Sequence, residues 1–192
     1  MKVYFIRHGA TKGNQEQRYV GSTDEKIMDS EWEYLRAQGE KLGEMDYVFT
    51  SPYRRCIQSA EALFGVKKQK LEQVEDLREM DFGAFEYKNY QELNGKPDYQ
   101  RYIDSGGTTA FPGGEEPEAF KKRCLRAFEA CMEKAYSQNR EKIAFVVHGG
   151  TIMAILEEYG LPVQGYFDYQ VKNGEGFMGE VAEGKYITYQ RI

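Results

Sequence analysis

A three-layer α/β sandwich, with a mostly parallel sheet held between helices, is the fold class this sequence predicts, and three observations carry the prediction. The runs Val3-Tyr4-Phe5-Ile6 and Ile143-Ala144-Phe145-Val146-Val147 are β-branched and aromatic, and glycine follows each within three residues. Short apolar runs with such boundaries read as strands buried on both faces. A third run, Tyr47-Val48-Phe49-Thr50, stops at Ser51-Pro52. Helical patterns follow these strands, and strand-then-helix repetition is the signature of a parallel sheet covered on both sides. The length of 192 residues suits one such unit, so a single domain over residues 1–192 is expected.

The elements follow in chain order. After the first strand, Thr11 is suited to cap a short helical turn, and a polar loop continues to Ser22. Asp29 or Ser30 precedes a helix over 31–42, where Trp32, Leu35 and Leu42 keep helical spacing. The strand 47–50 leads into a helix over 52–64 with Pro52 in its first turn, and a third strand is expected over 70–74. The stretch 82–116 differs in character, being aromatic and polar, with Gly106-Gly107 and Phe111-Pro112-Gly113-Gly114-Glu115. It reads as an insertion or cap lying over the sheet edge, where loops shape access to a site. A long helix over 117–137 precedes the strand at 143–147, and another helix is expected over 151–159. The segments 178–181 and 186–190, separated by Glu183-Gly184, suggest a closing antiparallel hairpin.

Composition removes several classes of function. Twenty-six basic residues stand against 31 acidic ones, a net charge of -5, so no global field favours nucleic acid or an anionic membrane. The start of the chain runs directly into a strand without a signal-like apolar segment, and a cytoplasmic location is expected. Three cysteines, Cys56, Cys124 and Cys131, form neither a CxxC pair nor an even set, which suits a reducing compartment. With only two histidines, a Cys/His zinc cluster is not expected. Cys124 and Cys131 lie two helical turns apart and read as packing residues.

Both histidines, His8 and His148, stand where a predicted strand ends and directly before glycine. In open parallel sheets ligands bind at that edge. Arg7 beside His8 pairs a guanidinium with an imidazole, a combination suited to a phosphate, although Arg-His-Gly alone fits an ordinary core or surface histidine equally. From the segment Ser51-Pro52-Tyr53-Arg54-Arg55-Cys56-Ile57-Gln58-Ser59-Ala60, one arginine is expected to point to the same edge while the other faces solvent. Gly149 and Gly150 after His148 permit a close turn whose following helix aims N–H groups at an anion. In Leu77-Arg78-Glu79-Met80-Asp81-Phe82-Gly83, one of the two carboxylates is placed to protonate a leaving oxygen, and the other, or Arg78, to form a surface salt bridge.

These blocks, together with Asn14, Arg18 and Gly21, resemble the histidine phosphatase superfamily, also called phosphoglycerate mutase-like. They occur in family order from position 7 to position 150. The segment Phe111-Pro112-Gly113-Gly114-Glu115 is similar to the small bacterial α-ribazole phosphatase-like branch. The resemblance implies that His8 is the nucleophile that becomes phosphohistidine and that Glu79, not Asp81, is the general acid. It implies a phosphate pocket of Arg7, Arg55, a protonated or donating His148, Asn14 and Gly149, with Arg55 aligning better than Arg54. No cofactor and no metal are implied, and the expected partner is a small phosphorylated metabolite, with α-ribazole 5'-phosphate the specific candidate. Ala10, Gly13 and Tyr87 depart from the family pattern and bear on substrate contacts, not on the reacting groups. A cofactor-dependent phosphoglycerate mutase is the alternative enzyme, for which Lys88, Lys96 and Arg101 are the basic candidates in the insertion. A non-catalytic phospho-ligand binder is a third reading, which retention of both His8 and Glu79 disfavours. Tyr87, Tyr90, Tyr99, Tyr102 and Phe111 are expected mostly to pack the insertion, with stacking on an aromatic substrate as their functional alternative. Oligomeric state is not legible in the chain.

Overall fold

The computed structural model describes residues 1–65, 70–181 and 186–192. The strands are β1 (Lys2–Arg7), β2 (Tyr47–Thr50), β3 (Leu71–Gln73), β4 (Lys142–Val147), β5 (Gly160–Leu161), β6 (Gly176–Val181) and β7 (Ile187–Arg191). Among the described residues they form one sheet in the order β3-β2-β4-β1-β6-β7-β5. The β3-β2-β4-β1 half is parallel throughout, and β6 runs antiparallel to both β1 and β7. The sheet is therefore mixed and mostly parallel. The hairpin strands at its far side are as expected, while the Glu183-Gly184 turn lies outside the described residues.

Alternation along the strands divides the core. Val3 and Phe5 of β1 join Ile143, Phe145 and Val147 of β4 on one face. Tyr4, Ile6, Ala144 and Val146 occupy the other. Strands buried on both faces need apolar residues at every position, which is why these runs are uninterrupted. On the first face Phe145 stacks between Phe5 and Phe49, with ring centroids 5.5 and 5.1 Å away. Each such fully buried ring contributes about 1.5–3 kcal/mol of transfer free energy.

That face is covered by α6 (Pro117–Ser137) and α7 (Gly149–Tyr159), and the opposite face by α2 (Glu31–Leu42) and α3 (Arg54–Phe64). Cys124 and Cys131 are buried on α6, as packing residues should be. Two boundaries depart from expectation. The α3 helix starts at Arg54, with extended Tyr53 as N-cap, so Pro52 lies outside its first turn. Conversely α7 starts at Gly149 with His148 as N-cap, which makes both glycines part of the helix instead of a preceding loop. The short α1 (Lys12–Gln15) is capped by Thr11 in a reciprocal box with Asn14. Between β3 and α6, the stretch 82–116 contains α4 (Tyr90–Leu93) and α5 (Pro97–Asp104), packed around Phe85, Leu93, Tyr99 and Phe111. Neither β5 nor the 3-10 turn Tyr166–Tyr169 was anticipated; both are too short to leave a periodic signal.

Candidate active site

Strand register assembles the centre of the site. Arg7 pairs with Val147 across the parallel β1/β4 ladder, so the residues immediately beyond, His8 and His148, emerge side by side at the carboxyl edge. Their ring centroids are 5.2 Å apart. His8 is 3% exposed and His148 fully buried. His8 Nδ1 lies 2.8 Å from the Gly9 carbonyl oxygen. A carbonyl only accepts, so Nδ1 carries the proton and Nε2 keeps a lone pair. Burial, followed by repulsion from Arg55 and Arg7, pushes the His8 pKa well below its ordinary value of 6.5. The ring is therefore neutral and nucleophilic at neutral pH.

The cationic groups surround this pair. Arg7 donates from Nη1 to the Val171 carbonyl at 2.8 Å, while its Nε is buried without a hydrogen-bond partner among the described residues. Leaving a buried donor unpaired costs about 1–3 kcal/mol, so Arg7 is poised to accept an anionic ligand. Of the adjacent arginines, Arg55 is fully buried and Arg54 exposed. Arg55 donates to the carbonyls of Thr23 (2.6 Å) and Gly21 (2.8 Å) and, through Nε, to His148 Nδ1 (3.3 Å). The Glu86 carboxylate accepts from the N–H groups of Gly21 and Thr23, each at 2.9 Å, and so holds the loop that grips Arg55. Asn14 reaches the centre indirectly: its Oδ1 accepts from Asn173 Nδ2 at 3.2 Å, and the same Nδ2 donates to the His8 carbonyl at 3.0 Å.

His148 carries a single ring proton. Arg55 Nε can only donate, so Nδ1 of His148 accepts; the ring proton then sits on Nε2 and is shared with Ser51 Oγ at 2.7 Å. Burial, with Arg55 as the next cause and His8 and Arg7 behind it, holds the His148 pKa well below 6.5. The protonated form is thus not the resting form, and a neutral donor remains. Cys56 Sγ lies 3.5 Å from His148 Nε2, but burial pushes its thiol up to about 12, which leaves it a packing group.

Glu79 and Asp81 separate cleanly. Asp81 is exposed and caps the Gly83 N–H at 2.8 Å. The Glu79 carboxylate faces inward, accepting from Met80 N and Gly150 N, each at 3.0 Å. Burial raises its pKa against the pull of those two N–H groups and of Arg55 and Arg7. Arg78 forms a surface ion pair with Glu75. Among the described residues no group of three or more His, Cys, Asp or Glu is disposed to hold a metal ion.

The sequence profile of the histidine phosphatase superfamily (branch 1) matches residues 3–186. The chain belongs to this superfamily. A phosphoglycerate mutase-like protein 4 of Arabidopsis thaliana is 28% identical over 164 residues, covering 81% of this chain and 70% of its own. An uncharacterized phosphatase, PhoE, of Bacillus subtilis is 28% identical over 158 residues, covering 81% and 76%. The crystal structure of the α-ribazole phosphatase from Shigella flexneri superposes with a TM-score of 0.84 at 22% identity, over 99% of this chain and 95% of that one.

In this histidine phosphatase a cavity of about 600 Å³ adjoins the strand ends, with Arg7, Glu79, Gly149 and Gly150 in its wall. Its remaining lining is largely aromatic: Tyr19, Phe82, Tyr102, Phe111, Tyr166 and Phe167. Of the insertion aromatics, Tyr102 and Phe111 reach this cavity, Tyr99 is buried behind it, and Tyr90 is exposed. Tyr87 instead donates to Glu25 at 2.8 Å. Lys88, Lys96 and Arg101 do not line the cavity, whereas Lys121 of α6 does, paired with Glu157 at 2.6 Å. Sequence reasoning missed Lys121, Tyr166, Asn173 and Arg123, which carry no motif of their own. Ser51 and Ser59 lay within a motif but without a role. Ser59 Oγ accepts from Gly9 N at 2.9 Å and so ties the His8 turn to α3.

Proposed function

We propose that this chain is a metal-independent phosphomonoesterase that transfers the phosphoryl group of a small metabolite to His8 and then to water. The observation that carries the reading is the placing at one site of an unprotonated His8 Nε2 and a half-buried Glu79 in the cavity wall, whose pKa burial raises above the ordinary carboxyl value. Groups whose environments push their pKa values apart are suited to nucleophile and acid roles. In the first step the Nε2 lone pair forms the N–P bond while the P–O bond to the leaving group breaks, and the Glu79 carboxyl proton passes to the departing oxygen. In the second, water attacks phosphorus, its proton goes to the Glu79 carboxylate, and the N–P bond breaks to release phosphate and restore both groups. Arg7 and Arg55 stabilise the equatorial oxygens, with His148 accepting from Arg55 Nε and orienting its guanidinium, Gly149 at the α7 amino terminus beside them and Asn14 bracing the His8 turn through Asn173.

For substrate, α-ribazole 5'-phosphate is the specific proposal. An aromatic wall suits a planar, uncharged base, and the matched fold of an α-ribazole phosphatase agrees with it. A phosphoglycerate mutase would need a cation for the substrate carboxylate. Besides Arg7, the described lining offers only Lys121, which Glu157 already neutralises and Tyr166 covers at 4.7 Å. The test is hydrolysis of 4-nitrophenyl phosphate in EDTA, followed by a phosphomonoester panel ranked by kcat/KM. Turnover in chelator, lost in His8→Ala, and α-ribazole phosphate near the top are expected. A metal requirement would overturn the mechanism, α-ribazole phosphate near the bottom would overturn the substrate, and isomerisation of phosphoglycerate with catalytic bisphosphoglycerate but no phosphate release would establish the mutase.

A further inference from the structure

The mechanism above leaves one enclosed ion pair without a task. Arg123 of α6 is 6% exposed, and all five of its N–H groups are used. Nε and Nη2 form a two-point contact with the Glu115 carboxylate at 2.6 and 2.8 Å. Nη1 donates to the carbonyls of Asp76 and Arg78, both at 2.8 Å, and Nη2 to the carbonyl of Glu79 itself at 3.0 Å. A guanidinium has five donors in a rigid fork, so one side chain here grips the main chain at the acid and at the residue before it.

Its partner comes from the Phe111-Pro112-Gly113-Gly114-Glu115 motif, to which the mechanism also assigns nothing. That motif is laid against the other side of the acid: Glu115 N donates to the Asp81 carbonyl at 2.9 Å and Ala84 N to the Pro112 carbonyl at 2.8 Å. The approach is close enough that a Cβ on Gly114 would stand 2.5 Å from the Asp81 oxygen. Buried ion pairs are poor sources of net stability compared with apolar packing. What a fully satisfied pair can provide is a single backbone geometry.

We propose that Arg123 and Glu115 are positioning residues for Glu79, clamping the main chain over 76–81 so that the carboxyl is held at the cavity wall. The inference rests on the reading of Glu79 as the acid. Leaving-group dependence separates positioning from general support of the fold, because a nitrophenolate departs without a proton whereas an alkoxide does not. The experiment measures kcat/KM for 4-nitrophenyl phosphate and for an alkyl phosphate in Glu79→Gln, Arg123→Lys, Glu115→Gln and the Glu79→Gln/Arg123→Lys double variant. Lysine has three donors and cannot span the five acceptors. Arg123→Lys and Glu115→Gln should lose about 10–100-fold on the alkyl ester while staying within about 3-fold on the aryl ester, and Arg123→Lys should add no further loss once Glu79 is Gln. Equal losses on both esters, no loss, or an additive loss in the double variant would overturn the clamp while Glu79→Gln alone still shows the selective pattern. If Glu79→Gln itself lacks that pattern, the acid assignment falls and takes the clamp with it.

Discussion

At the scale of single residues, the two histidines have similar settings and different hydrogen-bond partners. Each is neutral because burial and nearby guanidiniums disfavour a second proton, yet their hydrogen bonds expose different chemistry. His8 donates from Nδ1 to the Gly9 carbonyl and leaves the Nε2 lone pair free; His148 accepts from Arg55 at Nδ1 and keeps its proton on the Ser51 side. His8→Ala should therefore abolish the trapped phosphoenzyme. His148→Asn should retain it and lower kcat by about 10²-fold, because the shorter amide cannot span the ring's contacts with Arg55 and Ser51 and leaves the Arg55 guanidinium misplaced. Rapid acid quench with labelled substrate distinguishes the two, and absence of phosphoenzyme in His148→Asn would reject the division of labour. His8, His148 and Arg55 were legible in the sequence as site residues, whereas Ser51 carried no role there. Which nitrogen carries each proton was not legible, since that depends on an acceptor fixed only by the fold.

Among the elements, α7 is the one whose start matters most. Because the helix begins at Gly149 and not at Thr151, the Gly150 amide is a first-turn donor without an intrahelical acceptor, and Glu79 accepts from it. A Cβ at position 150 would stand 2.3 Å from Glu79 Oε1. Alanine is a better helix former than glycine by about 1 kcal/mol, so Gly150→Ala should leave thermal stability near that of the parent. It should nevertheless cut kcat/KM for an alkyl phosphate at least about 10-fold by displacing the acid. Calorimetry and steady-state kinetics on the same variant check this, and unchanged turnover would mean that the α7 amino terminus does not hold the carboxyl. Sequence patterning located the helix but placed its start two residues late. Glycine reads locally as a turn former, and only the bond to Glu79 makes it the right first-turn residue.

Across the whole molecule, neutral buried histidines tie folding to pH. Their folded pKa values lie well below 6.5, whereas in the unfolded chain they titrate near 6.5. The unfolded state then binds more protons below that pH, so stability is fully present above about 6.5 and declines as pH falls toward the folded values. Each histidine contributes up to about 1.4 kcal/mol per pH unit over that window. Glu79 has the opposite sign: its raised folded pKa gives stability that is complete below its ordinary value of 4.5 and fades as pH rises through the folded one. Urea unfolding at pH 7.5 and 5.5 should show lower stability at the acid end, and His148→Asn should flatten the slope. An unchanged slope would contradict the protonation state assigned to His148. Among the described residues, no helix is long and apolar enough to cross a membrane.

The sequence by itself determined the layers and pointed to the candidate reacting groups. Uninterrupted apolar strands, helical periodicity and the strand-end blocks are local signals, and each reports on its own few residues. Tertiary structure decided the relations between them. Register set His8 beside His148, and α6 delivered Arg123 to Glu79 and Lys121 to the cavity wall. The loop around Asn173 reached back to the His8 carbonyl. Apart from the histidine pair, whose strand-end setting is visible in the chain, these contacts leave no periodic or compositional trace, because each joins residues distant in the chain whose side chains look, in sequence, like ordinary helix or loop positions. Chemical identity is a property of the residue, while proton location and distance belong to the packed ensemble of its neighbours.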